Sequence, residues 1–194
     1  DADPKRAENI LRLDPGSCVL VIAEKPRAAD KIALSLSNNP KVLRINGVRV
    51  YRVTWNDKTL IIAPTAGHLF SLHTEKRDYP VFEYEWVPRH LVEKGYGHLR
   101  KYYEVLQMLA KKCSTYVNAC DYDVEGSLIG YMIISKFGDV NRALRAKFSS
   151  LTPQEIRRAF SNLAPLDRNM VEAGYCRHVL DWLWGINFSR LLMD

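Results

Sequence analysis

Short apolar runs alternate with amphipathic stretches along most of the chain, and this predicts strands and helices in turn. Cys18 to Ala23 is apolar and rich in β-branched residues. A run of that length and composition marks a strand buried on both faces, as in parallel sheets covered by helices. Pro26 suits the first turn of a following helix, in which Ala29, Ile32, Ala33 and Leu36 recur at helical spacing, and Asn38-Asn39-Pro40 ends it. Residues 48–55 and 59–64 read as a hairpin around Asn56-Asp57-Lys58. Residues 73–97 are rich in aromatics and charges with little period, and read as a long excursion over the surface.

Further on, Leu99, Tyr102, Leu106 and Leu109 line one face of a helix ending at Lys111-Lys112, where cations suit the helix dipole. A second buried strand, 116–120, runs through an acidic loop into an apolar helix over 128–137. Residues 143–148 predict another strand. Thr152-Pro153-Gln154-Glu155 has the form of a capping box with proline at the first helical position, opening a helix through Phe160. The segment 166–192 reads as one long helix or two, with Trp182 and Trp184 as core residues. The whole predicts an α/β fold, a Rossmann-like parallel sheet between helices over 18–150, then a mostly helical segment over 151–194. Residues 1–17, charged around Ile10, Leu11 and Leu13, read as a loosely attached leader.

Composition narrows the class. Of 194 residues, 47% are hydrophobic and 26% charged, which excludes disordered and low-complexity chains. No stretch approaches the roughly 20 apolar residues that span a bilayer, and the polar start is unlike a secretory signal, so a soluble, unexported protein is expected. The four cysteines form no CxxC pair, and reduced thiols are expected rather than a disulfide framework or a zinc ribbon. The net charge of +6 favours polyanionic partners. Because basic and acidic residues are interspersed, any nucleic-acid face must be made by folding.

Candidate chemistry gathers where strands open into helices. Asp121, Asp123 and Glu125 leave a strand end at alternate positions, so their mutual repulsion calls for a cation. Hard divalent cations with oxygen ligands are the natural partner. Mg²⁺ takes one or two carboxylates plus phosphate oxygens, which suits phosphoryl transfer. An EF-hand is excluded, because its twelfth position needs a bidentate Glu and here it is Met132. Glu24 and Lys25 follow the first strand, where open α/β sheets place their ligands. Glu24 could share the acidic site as acid or base, and Lys25 could neutralise a phosphate.

Asp121-Tyr-Asp123-Val-Glu125-Gly126, with Glu24 after the first strand, resembles the Toprim domain of type IA topoisomerases, primases and some nucleases. Gly67-His68-Leu69, the stretch from Arg145 through Phe148 to Thr152, and Arg177, Asp181, Gly185, Ser189 and Arg190 further on resemble type IA topoisomerases among these. The Ala23-Glu24-Lys25-Pro26 opening is similar to the archaeal branch. The resemblance covers about residues 18–194 and implies a Toprim fold with a four-stranded parallel sheet, Mg²⁺ held by Asp121, Asp123 and Glu125, and Glu24 as general acid beside the scissile phosphate. It further implies DNA contacts from His68, Arg145, Arg177 and Asp181, with single-stranded segments of negatively supercoiled duplex as the partner, relaxed without ATP. A cytoplasmic, nucleoid-associated location follows from the same resemblance. The family's nucleophilic tyrosine sits in a separate domain, and none of the ten tyrosines here lies in its motif. The sequence is therefore expected to be an N-terminal fragment. The alternatives are a Toprim nuclease or nucleotidyl transferase, or a non-catalytic nucleic-acid-binding module.

Overall fold

The computed structural model describes residues 16–193. The apolar patch of the expected leader lies outside the described residues. The runs read as buried strands form the centre of a seven-stranded sheet, in the order β2-β3-β4-β1-β7-β8-β9. These are β1 (Cys18–Ala23), β2 (Lys41–Ile45), β3 (Val48–Trp55), β4 (Lys58–Pro64), β7 (Thr115–Ala119), β8 (Ala143–Arg145) and β9 (Ala164–Pro165). β4, β1, β7 and β8 are parallel neighbours, which gives the expected four-stranded parallel centre. Antiparallel strands extend it on both sides.

Alternate residues of β1 point to opposite faces, and each face has its own core. Leu20 and Ile22 pack with Leu106, Leu109, Leu128 and Ile133 of α3 (Arg100–Lys112) and α4 (Val124–Phe137). Val21 and Ala23 pack with Ile32 of α1 (Pro26–Leu36) and with Ile156 and Phe160 of α5 (Pro153–Ser161). α5 shares this core and β9 joins the sheet, so packing continues past residue 150. The last helix, α6 (Arg168–Met193), is continuous and lies against α4. It comes so close that a Cβ on Gly174 would stand 2.8 Å from the carbonyl of Val124. None of the described helices is long and apolar enough to cross a membrane.

Several expectations change. The Asn56-Asp57 turn forms as predicted, with both residues at positive φ, but Asn46-Gly47 makes an equivalent turn that brings β2 into the sheet. The surface excursion contains a small sheet of β5 (Phe70–His73) and β6 (Glu85–Pro88), followed by the short α2 (Arg89–Val92). The strand expected over 143–148 stops at Arg145. The capping box does not close: Thr152 makes no capping bond, and Glu155 reaches past it to accept from the backbone N–H groups of Ser149 (3.1 Å) and Ser150 (2.9 Å). Trp184 is 64% exposed rather than in the core.

The cysteine expectation is also corrected. Cys18 and Cys113 form a disulfide, while Cys120 and Cys176 are free. Cys18 opens β1, and Cys113 caps the helix that leads into the neighbouring β7. The two Cα atoms stand 4.8 Å apart, inside the usual range of about 4.4–6.8 Å. A separation of 95 positions hid the pair from any spacing rule.

Candidate functional site

Each of the four parallel strands delivers side chains to the carboxyl edge of the sheet, where open α/β sheets bind ligands. β1 ends in Ala23 and presents Glu24, and its neighbour β7, with Ala119 opposite Ala23, presents Asp121 and Asp123. β4 leads through Thr65 and the positive-φ Gly67 to His68, the loop being tied to β1 by Thr65 N–H to the Ala23 carbonyl (2.8 Å) and Gly67 N–H to the Glu24 carbonyl (3.3 Å). β8 ends in Arg145.

The acidic segment is less of a loop than its sequence suggests. Helix α4 begins at Val124, so Asp123 is its N-cap and accepts from the Gly126 N–H at 2.7 Å, while Glu125 lies in the first turn. Gly126 is required by proximity: a Cβ there would stand 2.1 Å from the carbonyl oxygen of Asp121. Glu125 Oε2 lies 2.7 Å from Nε2 of His68. Among the described residues, no three His, Cys, Asp or Glu side chains converge as a ready-made metal cage.

Glu24 is half-buried, and one carboxylate oxygen accepts from the Asp121 N–H at 3.3 Å. Burial raises its pKa first and the nearby Asp121 charge second, against the lowering effect of that hydrogen bond and of Lys25. Asp123 adds a smaller upward push. A carboxyl so placed holds a proton more readily than a surface glutamate. Lys25 itself is exposed at the N-cap of α1 and makes no capping bond.

The Toprim domain model matches residues 19–151. The chain belongs to the Toprim family. It is 52% identical over 176 residues to DNA topoisomerase 1 of Aeropyrum pernix, covering 90% of this chain and 26% of that protein. It is 43% identical over 182 residues to DNA topoisomerase 1 of Pyrococcus horikoshii, again 90% of this chain and 26% of the relative. The full-length topoisomerase I of Thermotoga maritima is similar in structure, with a TM-score of 0.54 and 27% identity over 84% of this chain and 24% of that one. The chain thus spans about a quarter of the length of the relatives it matches.

Toprim domains generally bind metal, and the oxygen donors here fit a hard divalent cation: Asp121 and Asp123 lie within electrostatic reach of Glu24, and Mg²⁺ needs only one or two carboxylates from protein. The other expected site residues separate in the Toprim structure. Arg145 is 1% exposed, so its side chain is not presented to a phosphate, and it donates to carbonyl groups beneath the acidic segment. The expectation of a DNA contact is corrected by that burial. Arg177 and Asp181 share an exposed face of α6 as an ion pair at 3.9 Å. His178 beside them was not anticipated: its ring stands 5.0 Å from His68 and stacks on Trp86. Burial, and secondarily His68, lowers its pKa. Asn118 was missed too, although an asparagine inside a buried strand was a legible signal of a polar partner. Its side chain accepts from the Cys120 N–H at 3.0 Å.

Proposed function

We propose that this chain supplies the metal and acid half of a type IA topoisomerase centre, which relaxes negatively supercoiled DNA by transient cleavage of one strand, without ATP. The observation that carries the reading is Glu24 held against the Asp121 N–H at the carboxyl edge of adjacent parallel strands, with its pKa raised. Asp121 and Asp123 would hold Mg²⁺, which when bound neutralises and orients the phosphate under attack. Glu24, whose surroundings favour its protonated form, would give a proton to the leaving oxygen as the bond from phosphorus to that oxygen breaks, while a tyrosine from outside this segment, its hydroxyl proton released to solvent, forms the new phosphoester bond. Arg177, exposed on α6, meets a phosphate of the bound single strand. The resemblance beyond the Toprim segment and the names of the relatives favour this over a nuclease, which would release free ends.

The test joins binding to chemistry. Titration calorimetry of this chain should show weak Mg²⁺ binding that strengthens with single-stranded DNA and is lost when Asp121 and Asp123 are both changed to Asn. Incubated alone with supercoiled plasmid and Mg²⁺, the chain should neither relax nor nick it. A longer protein containing the downstream segment should relax it, more slowly with Glu24→Gln. Metal binding that survives the double substitution, or untethered nicks made by this chain, would overturn the reading.

A further inference from the structure

The side chain of Arg145 reaches from the end of β8 under the whole turn that joins β7 to α4. Nη1 donates to the carbonyl of Asn118 (3.0 Å), to its side-chain oxygen (3.2 Å) and to the carbonyl of Cys120 (2.7 Å). Nη2 donates to the carbonyl of Asp121 at 2.6 Å. The peptide unit between Cys120 and Asp121 is therefore gripped at both ends. Its carbonyl accepts from Arg145, and its N–H donates to the carboxylate of Glu24 at 3.3 Å. Cation, peptide dipole and carboxylate stand in series, an arrangement in which each hydrogen bond polarises the next.

We propose that Arg145 is a positioning residue for the metal and acid centre, setting Glu24 and Asp121 through this one peptide unit rather than by touching DNA. The proposal rests on the metal-binding reading above. A guanidinium is suited to the task because its donors form a rigid planar fork, so one side chain can span the carbonyls of residues 118, 120 and 121 at once. A lysine ammonium, a point charge on a flexible stem, cannot span them. Burial of a charge is tolerated here because carbonyl and amide oxygens accept from both Nη groups, although the buried Nε has no hydrogen-bond partner. Gly126 makes room for the next carbonyl that Arg145 holds, that of Asp121, since any side chain there would displace this oxygen from Nη2.

The experiment measures Mn²⁺ and Mg²⁺ affinity of this chain, by electron paramagnetic resonance and calorimetry, alongside melting temperature and metal-free binding to single-stranded DNA. Arg145→Lys should weaken metal binding about 10–100-fold, the usual loss when a group that orients ligands is removed. Metal-free DNA binding and its salt dependence should stay as in the parent. Added guanidinium should restore metal affinity in Arg145→Ala, which a merely stabilising role would not predict. Gly126→Ala, which leaves the arginine in place, should weaken metal binding in the same direction. Parental metal affinity in Arg145→Lys and Gly126→Ala, or a drop in metal-free DNA affinity with a shallower salt slope in Arg145→Lys, would overturn the proposal. If Asp121→Asn also leaves metal affinity untouched, the metal site itself is misplaced, which separates failure of that reading from failure of this one.

Discussion

Nε2 of His68 lies 2.7 Å from Oε2 of Glu125, joining the turn after β4 to the first turn of α4 across 57 positions of sequence. This contact divides the acidic motif. Glu125 is engaged by a histidine, whereas Asp121 and Asp123 are the carboxylates whose charges reach Glu24.

Asp121→Asn and Asp123→Asn should therefore each weaken Mg²⁺ binding more than Glu125→Gln does, as read by calorimetry. Asp123→Asn isolates the metal effect, because asparagine caps a helix as well as aspartate and α4 should keep its start. Asp123→Ala removes cap and carboxylate together and should also cost about 1 kcal/mol of stability. Equal loss of metal affinity in all three conservative variants would mean that Glu125 leaves His68 to join the metal.

The disulfide gives a prediction on thiol reactivity. Cys120 is fully buried, and burial pushes its thiol pKa far up, whereas Cys176 is exposed. A thiol reagent should label Cys176 quickly in the native protein and Cys120 only after denaturation without reductant, with Cys18 and Cys113 reacting only after reduction. Cys18→Ser together with Cys113→Ser should lower stability by about 2–4 kcal/mol, because the bond closes a long loop in the unfolded chain. Four thiols titrating without reductant would contradict the pairing.

What the sequence conveyed follows from how local each signal is. The buried strands β1 and β7 announce themselves by unbroken apolar runs, and Glu24 and Asp121 are legible because they sit where those runs stop. β2 was missed although Asn46-Gly47 is a strong hairpin signal, because its exposed residues break the apolar pattern. The disulfide, the His68 to Glu125 contact and the burial of Arg145 were not legible. Each depends on which strands become neighbours, and no short window of sequence records that order. Arg145 illustrates the cost: an arginine in a motif shared with DNA enzymes suggests a phosphate, and only the fold turns it inward.

Glu155 makes stability depend on pH in a known direction. Hydrogen bonds from the Ser150 and Ser149 N–H groups favour its charged form and hold its pKa below the usual 4.5. Between the folded and unfolded values, only the unfolded chain binds a proton, so the contribution is complete above about pH 4.5 and is lost as pH falls through the folded value. Glu155→Gln cannot ionise. Its melting temperature should lie below that of the parent at neutral pH, and the gap should narrow as the solution is made acid below 4.5. A gap that is constant with pH would show that the carboxylate charge contributes nothing to holding residues 149 and 150.

Arg177 tests the DNA face of α6. Its pairing with Asp181 is long at 3.9 Å, and both side chains are well exposed, so the pair should be worth little to stability. Arg177→Ala should leave the melting temperature unchanged. If Arg177 contacts one phosphate of single-stranded DNA, the substitution removes one site of counterion release. The slope of log affinity against log salt should then shrink by about 0.7, with weaker binding at low salt. Arg177→Lys should restore most of the slope, since a lysine offers the same charge, but less of the affinity, since it loses the two-pronged grip on phosphate. The decisive quantity is the slope measured by fluorescence anisotropy across a salt series. An unchanged slope in Arg177→Ala would assign the exposed pair to the solvated surface and remove α6 from the binding face.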